Sequence, residues 1–139
     1  MTRYVALVHG AAKAAKPDAM IMTHCAHPYF ADVTDVLRLN DWALRRPNII
    51  EQASYRQQIA ASCSDWLINT DNWPLYDVDQ WREYLRYQPE IGIPASWFTH
   101  GVFGEGDRRY GSFTSDDYAT WRGTWVAYRK RMGLPELKG

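Results

Sequence analysis

Asp18-Ala-Met-Ile-Met-Thr-His24 and Thr34-Asp-Val-Leu-Arg-Leu-Asn-Asp41 are short apolar runs, each ending in a polar cluster. Asp65-Trp-Leu-Ile-Asn-Thr-Asp71 and Pro94-Ala-Ser-Trp-Phe-Thr-His100 repeat the pattern further along. An apolar run of this length, bounded by turn residues, is what a parallel strand buried on both faces requires. Helix-like segments follow three of the runs. The chain therefore reads as α/β, with four parallel strands in sequential order and helices on the outer face. In β/α barrels the carboxyl ends of the strands carry the chemistry, and here those ends hold His24, Asp41, Asp71 and His100. Four units are half of an eight-fold barrel. The expected architecture is a partial (half) β/α TIM-type barrel, one domain over residues 1–139.

Outward from the runs, Tyr4 to Lys16 reads as a helix, with Tyr4, Leu7, Val8, Ala11 and Ala15 at helical spacing. Pro17 ends it, because the residue before a proline avoids the α region. A chain that opens on a helix feeding a strand is expected of a piece of a repeating β/α array. His24-Cys-Ala-His-Pro-Tyr-Phe-Ala and Asp41-Trp-Ala-Leu-Arg-Arg-Pro are too short for crossover helices and read as loops. A second helix spans roughly Asn48 to Ser62, with Ile49, Ile50, Ala53, Ile59 and Ala60 as its apolar stripe. A third begins at Asp77, which with Gln80 resembles a capping box. It points Trp81, Tyr84 and Leu85 inward and stops near Pro89-Glu-Ile-Gly92. Gly101 to Gly111 is glycine-rich and charged, and reads as a flexible loop. A fourth helix starts at the capping box Thr114-Ser-Asp-Asp117 and runs to about Met132, with Tyr118, Trp121, Trp125 and Tyr128 on one side. Gly133 and Pro135 supply its stop signals.

The chain has 139 residues, whereas a complete β/α barrel takes about 250, so it cannot close one alone. Its 16 basic and 16 acidic side chains cancel, which argues against non-specific binding to nucleic acid or an anionic membrane. Seven Trp and nine Tyr serve either core and helix–sheet packing or a site where sugar rings stack on indole faces. Cys25 and Cys63 are too few for a disulfide framework and read as free thiols, Cys63 on the inner face of its helix. No apolar stretch reaches the ~18 residues that a membrane span needs, and the N-terminus lacks the order of a signal peptide. The chain as it stands is expected in the cytoplasm; the compartment of a longer parent with an export signal would be unknown.

Arg38 and Asp41 are the most informative polar residues. A strand buried on both faces should be apolar, yet this one carries an arginine mid-run and ends in a carboxylate. A buried guanidinium is costly unless paired. Either Arg38 pairs with an acid such as Asp35 or Asp71 and holds the interior together, or it orients a ligand oxygen while Asp41 acts as general acid/base. His24 and His27 flank Cys25, but an i, i+3 histidine pair in a loop is weak evidence for zinc, which takes four ligands or three and a water. His24 reads better as a pocket wall, and His100 could line the same pocket. No P-loop, nucleophile elbow or dinucleotide fingerprint is present, and no cofactor or metal is expected.

Lys16-Pro-Asp-Ala-Met-Ile-Met-Thr-His24 followed by Pro28-Tyr-Phe-Ala-Asp-Val-Thr-Asp-Val-Leu-Arg-Leu-Asn-Asp41 resembles the later strands of melibiase-like (α-galactosidase-type) glycoside hydrolases. Those enzymes are retaining glycosidases on a β/α barrel. The resemblance implies that the opening helix matches the fourth helix of the barrel and the four runs match strands five to eight. It makes Asp41 the acid/base and Arg38 the substrate-contacting arginine. His24, Asp71, Trp73 and His100 become candidate substrate contacts, Asp71 alternatively anchoring the Asp71-Asn-Trp-Pro turn. A retaining mechanism needs two carboxylates ~5–5.5 Å apart, and the family's nucleophile strand would precede Met1. Two function classes stand: the C-terminal portion of a glycoside hydrolase, inactive alone, and a non-catalytic carbohydrate-binding remnant. An open half-barrel exposes a sheet face and two strand edges, so a homo-oligomer or an N-terminal half-barrel partner is expected.

Overall fold

Parallel pairing follows the apolar runs. The computed structural model describes residues 2–39, 48–71, 78–94, 101–103 and 109–136. Within it β1 (Met22–Thr23), β2 (Val36–Arg38) and β3 (Leu67–Asn69) form a three-stranded parallel sheet in chain order. Met22 pairs with Val36, Thr23 with Leu37, Leu37 with Ile68 and Arg38 with Asn69. A single parallel bridge joins Asn69 to Ile93, immediately before the fourth apolar run. Residues 40–41 and 95–100 of the expected strands lie outside the described residues. The molecule is thus α/β, mostly helical, with a small parallel sheet whose paired segments are shorter than the runs that contain them.

Two expectations are corrected. The glycine-rich stretch from Gly101 to Gly111 is not simply a loop: β4 (Gly101–Phe103) and β5 (Arg109–Ser112) pair antiparallel in a separate two-stranded sheet. Turn-forming residues between two short extendable segments are hairpin punctuation as much as loop composition. Nor is β1 buried. Met22 is 47% exposed and Leu67 on β3 is 37% exposed, while Val36, which lies between them in the register, is buried.

Alternation along the strands explains this. Leu37, Leu39 and Ile68 point to one face and join the apolar core with Ile49, Ala53 and Trp81. Val36, Arg38, Leu67, Asn69 and Met22 fall on the other face by register. The helices that cover the first face are α2 (Ile49–Cys63) and α3 (Val78–Ile91), which pack on each other, with α4 (Ser115–Arg131) against α3. The Asn48 side chain caps α2 by accepting from the Glu51 N–H at 2.9 Å, and α4 opens on the full Thr114/Asp117 capping box. Trp81, Tyr84 and Leu85 are all essentially buried, as the third-helix pattern implies. Asp77 lies outside the described residues, so its cap does too. Arg82 forks onto Asp117 with bonds of 2.8 and 2.9 Å and ties α3 to α4.

The apolar stripe of α1 (Thr2–Ala15) faces outward. Tyr4 and Leu7 are 70% and 73% exposed, while Val5 packs against the core and α1 rests on the 3₁₀ turn Pro28–Val33 that links β1 to β2. On α2, Ile59 is likewise exposed although Ile49, Ala53 and Ala60 are buried. Cys63 packs partly against the core, and both cysteines are free. Among the described residues, no helix is long and apolar enough to cross a membrane.

Candidate functional site

In a parallel sheet all carboxyl ends lie on one edge. His24 directly follows β1, Arg38 is the last residue of β2, and Asp71 stands two residues beyond β3. The structure brings these three together. Arg38 Nη2 lies 2.6 Å from Asp71 Oδ2 and Arg38 Nη1 lies 3.4 Å from His24 Nδ1. Asp71 is fully buried, and the Arg38 side chain is only 13% exposed. Of the two acids the sequence offered to Arg38, the fold supplies Asp71. Asp35 is engaged elsewhere: it accepts the Ile21 N–H at 2.8 Å and the Lys13 ammonium at 2.9 Å. Those contacts, the Ile21 amide foremost, hold its carboxyl below the usual carboxylate range.

Asp71 sits at φ +50°, in the left-handed region. Asp and Asn enter that region more readily than other side-chain-bearing residues, at a cost of about 1–3 kcal/mol unless the surroundings fix it. The surroundings do so here. The Asp71 N–H donates to Asn69 Oδ1 at 3.1 Å, closing a local turn. Thr70 is strapped on both sides: its backbone N–H and its hydroxyl donate to the Ile93 carbonyl at 3.1 and 2.8 Å. The Thr70 carbonyl in turn accepts the Tyr84 hydroxyl from α3. Burial pushes the Tyr84 phenol well above its ordinary value, so it stays a neutral donor. Asn69, Thr70 and Tyr84 are supporting residues that the sequence did not single out. The alternation of β3 and the inward face of α3 were the available signals.

A guanidinium only donates hydrogen bonds, so His24 meets Arg38 through an unprotonated Nδ1, leaving the Nε2 proton for other partners. His24 is exposed, so the cluster grades from a buried carboxylate through a mostly buried guanidinium to an accessible imidazole. Such a set can fix the orientation of a neutral, hydroxyl-rich ligand at its exposed end. His27 does different work: its Nδ1 accepts the Tyr29 N–H at 3.2 Å and caps the 3₁₀ turn. Among the described residues, no three His, Cys, Asp or Glu side chains gather as a metal site. Asp41, Trp73 and His100 lie outside the described residues.

Comparison with family models, curated proteins and solved structures finds no match.

Proposed function

We propose that the chain is the C-terminal portion of a β/α-barrel glycoside hydrolase of the retaining, α-galactosidase-like kind, contributing part of a sugar pocket and the acid/base Asp41. One observation carries the reading. His24, Arg38 and Asp71 cluster at the carboxyl edge of sequential parallel strands, on the sheet face opposite the one that joins the core with α2 and α3. That face is where the interior of a barrel would lie, and that edge is where β/α barrels place their chemistry. The half-barrel itself, with its fourth strand in the run Pro94–His100, belongs to the same proposal. The parallel bridge at Ile93 supports it by continuing the strand order past β3.

In this reading Arg38 is a positioning residue for a sugar hydroxyl, pre-set by Asp71, and His24 is the accessible contact. Asp41, three residues beyond Arg38, would protonate the leaving oxygen, while the nucleophile comes from the complementary half. A hexose-binding remnant without turnover is the alternative, favoured by the burial of Asp71, which leaves that carboxylate no route to an anomeric carbon. The test assays the purified chain for hydrolysis of an aryl α-galactoside and, separately, for galactose binding by calorimetry. No turnover is expected, with weak binding that Arg38→Met abolishes. Absence of sugar binding, or binding indifferent to Arg38→Met, would contradict the proposal.

A further inference from the structure

We propose that the outward face of α1 is a dimerisation surface and that its occupant is α1 of a second copy of this chain, packed antiparallel. The inference is independent of the sugar reading. It starts from a helix whose polar and apolar sides are reversed. The half-buried residues of α1 are Val5, His9, Ala12 and Lys13. Lys13 turns inward, donating to Asp35 at 2.9 Å and to the Ala19 carbonyl at 2.6 Å. The apolar stripe points the other way: Tyr4, Leu7 and Val8 are exposed, the first two by 70% and 73%. A helix at the surface ordinarily turns such a stripe to the core, and an apolar patch left in water marks an interaction surface. Met20, just beyond α1, and Tyr29, on the 3₁₀ turn that α1 rests on, are exposed as well.

Spacing and size select the occupant. Tyr4, Leu7, Ala11 and Ala14 are all exposed and follow one another at intervals of 3, 4 and 3 residues, the seam along which two helices pack. The seam is graded, with two large side chains in its first half and two methyl groups in its second. A second α1 laid antiparallel places Tyr4 over the partner's Ala14 and Leu7 over the partner's Ala11, large against small throughout. A parallel pair would set Tyr4 on Tyr4 and leave alanine facing alanine. Gly10 fits the antiparallel arrangement. Glycine is unfavourable inside a helix, and a Cβ at Gly10 would meet nothing within 4 Å. No neighbour within the described residues accounts for it, whereas the close approach of a second helix does.

Charge favours the same occupant. Lys13 is held by Asp35, and Lys16 lies 3.8 Å from Asp18. Arg3 forms no ion pair among the described residues. One uncompensated cation is a weak attraction for an anionic lipid surface, which takes a basic cluster. The antiparallel pair uses that cation, because the Arg3 end of each helix comes beside the Asp18 end of the other, and Asp18 is exposed. Area sets the strength. The 14 residues of α1 make about 21 Å of helix. One face of it buries on the order of 400 Å² a side, about half of a standard interface. The dimer is therefore reversible, with a Kd on the order of 100 μM.

Sedimentation velocity of the full chain up to about 500 μM reads the monomer–dimer equilibrium. Leu7→Glu and Ala11→Lys should each weaken the dimer at least ~10-fold, the scale of one well-placed contact. Both positions are exposed, and circular dichroism checks that the variants fold. An equimolar mixture of the two variants should dimerise again, within ~3-fold of the unaltered chain, because antiparallel packing sets the glutamate of one against the lysine of the other. A chain that stays monomeric throughout, a dimer indifferent to Leu7→Glu, or a mixture that sediments as the sum of its parts would overturn the proposal. So would a monomeric chain that instead pellets with mixed phosphatidylcholine–phosphatidylserine vesicles, which would assign the face to lipid.

Discussion

Replacing Asp71 by Asn isolates the charge at the centre of the site. The amide has the same shape, and Asn accepts a positive φ as readily as Asp, so the backbone at φ +50° is spared. What changes is the partner of Arg38. At 2.6 Å, the gross attraction is about 6 kcal/mol at an effective dielectric of 20. Desolvation of both groups offsets much of that in the native pair. Removal of one partner leaves the other charge poorly compensated, with a net loss of roughly 3–5 kcal/mol. For a domain whose total stability falls within about 5–15 kcal/mol, that is a large fraction. Urea unfolding followed by tryptophan fluorescence should show the midpoint falling by roughly 2 M. Adding Arg38→Met to Asp71→Asn should recover part of the loss, since replacing both members of a buried pair by uncharged groups is far cheaper than removing one. The reasoning fails if Asp71→Asn costs under ~1 kcal/mol, the behaviour of a surface pair. It fails equally if the two substitutions add without coupling.

Three further outcomes follow from the geometry. A Cβ at Gly92 would come 2.8 Å from Ile68 Cβ and closer still to the Ile68 carbonyl, which already accepts the Ile93 N–H at 2.7 Å. Gly92→Ala should therefore cost about 1–3 kcal/mol by displacing the chain from β3, measured by thermal or urea unfolding. Asp117 is held far below its ordinary value, chiefly by the Arg82 bonds, and Asp35 is lowered by the Ile21 amide. Depressed carboxylates contribute stability that is present above their unfolded pKa of about 3.9 and lost as pH falls through the folded values. Unfolding free energy should hold near neutrality and drop below about pH 4, with a shallower drop in Asp117→Asn; an unchanged slope in that variant would contradict the assignment. Burial raises the Tyr84 phenol, so its contribution is complete below an unfolded pKa of about 10 and lost as pH climbs toward the folded value. Tyr84→Phe should flatten the alkaline loss of stability, and an unaltered alkaline limb would count against the buried bond to Thr70.

Much of the sheet was legible because buried strands and their polar ends leave a local pattern. The runs at Met22, Val36 and Leu67 pair in parallel and in chain order. Helix bounds were legible where a cap is written into the chain, as at Asn48 and Thr114. Partner choice was not. Asp35 lies three residues from Arg38, but β2 places it at the far end, beside Lys13 and the Ile21 amide, while Asp71 arrives from β3. Pairing across a sheet depends on register between segments tens of residues apart, and no local pattern records it. Periodicity on α1 marks an apolar face without stating what covers it; Tyr4 and Leu7 face solvent. The hairpin of β4 and β5 was hidden because each strand is too short for alternation to outweigh its glycines.

The central claim is that sugar meets this chain at the carboxyl edge of its parallel sheet. Intermolecular nuclear Overhauser contacts from galactose to the isotope-labelled chain test it most directly. The account predicts contacts from the galactose ring protons to the His24 imidazole, with perturbation of the Arg38 Nε–H and none at Trp66. Contacts confined to the amino edge near Trp66, or no contact with His24 and Arg38 at saturating sugar, would contradict it.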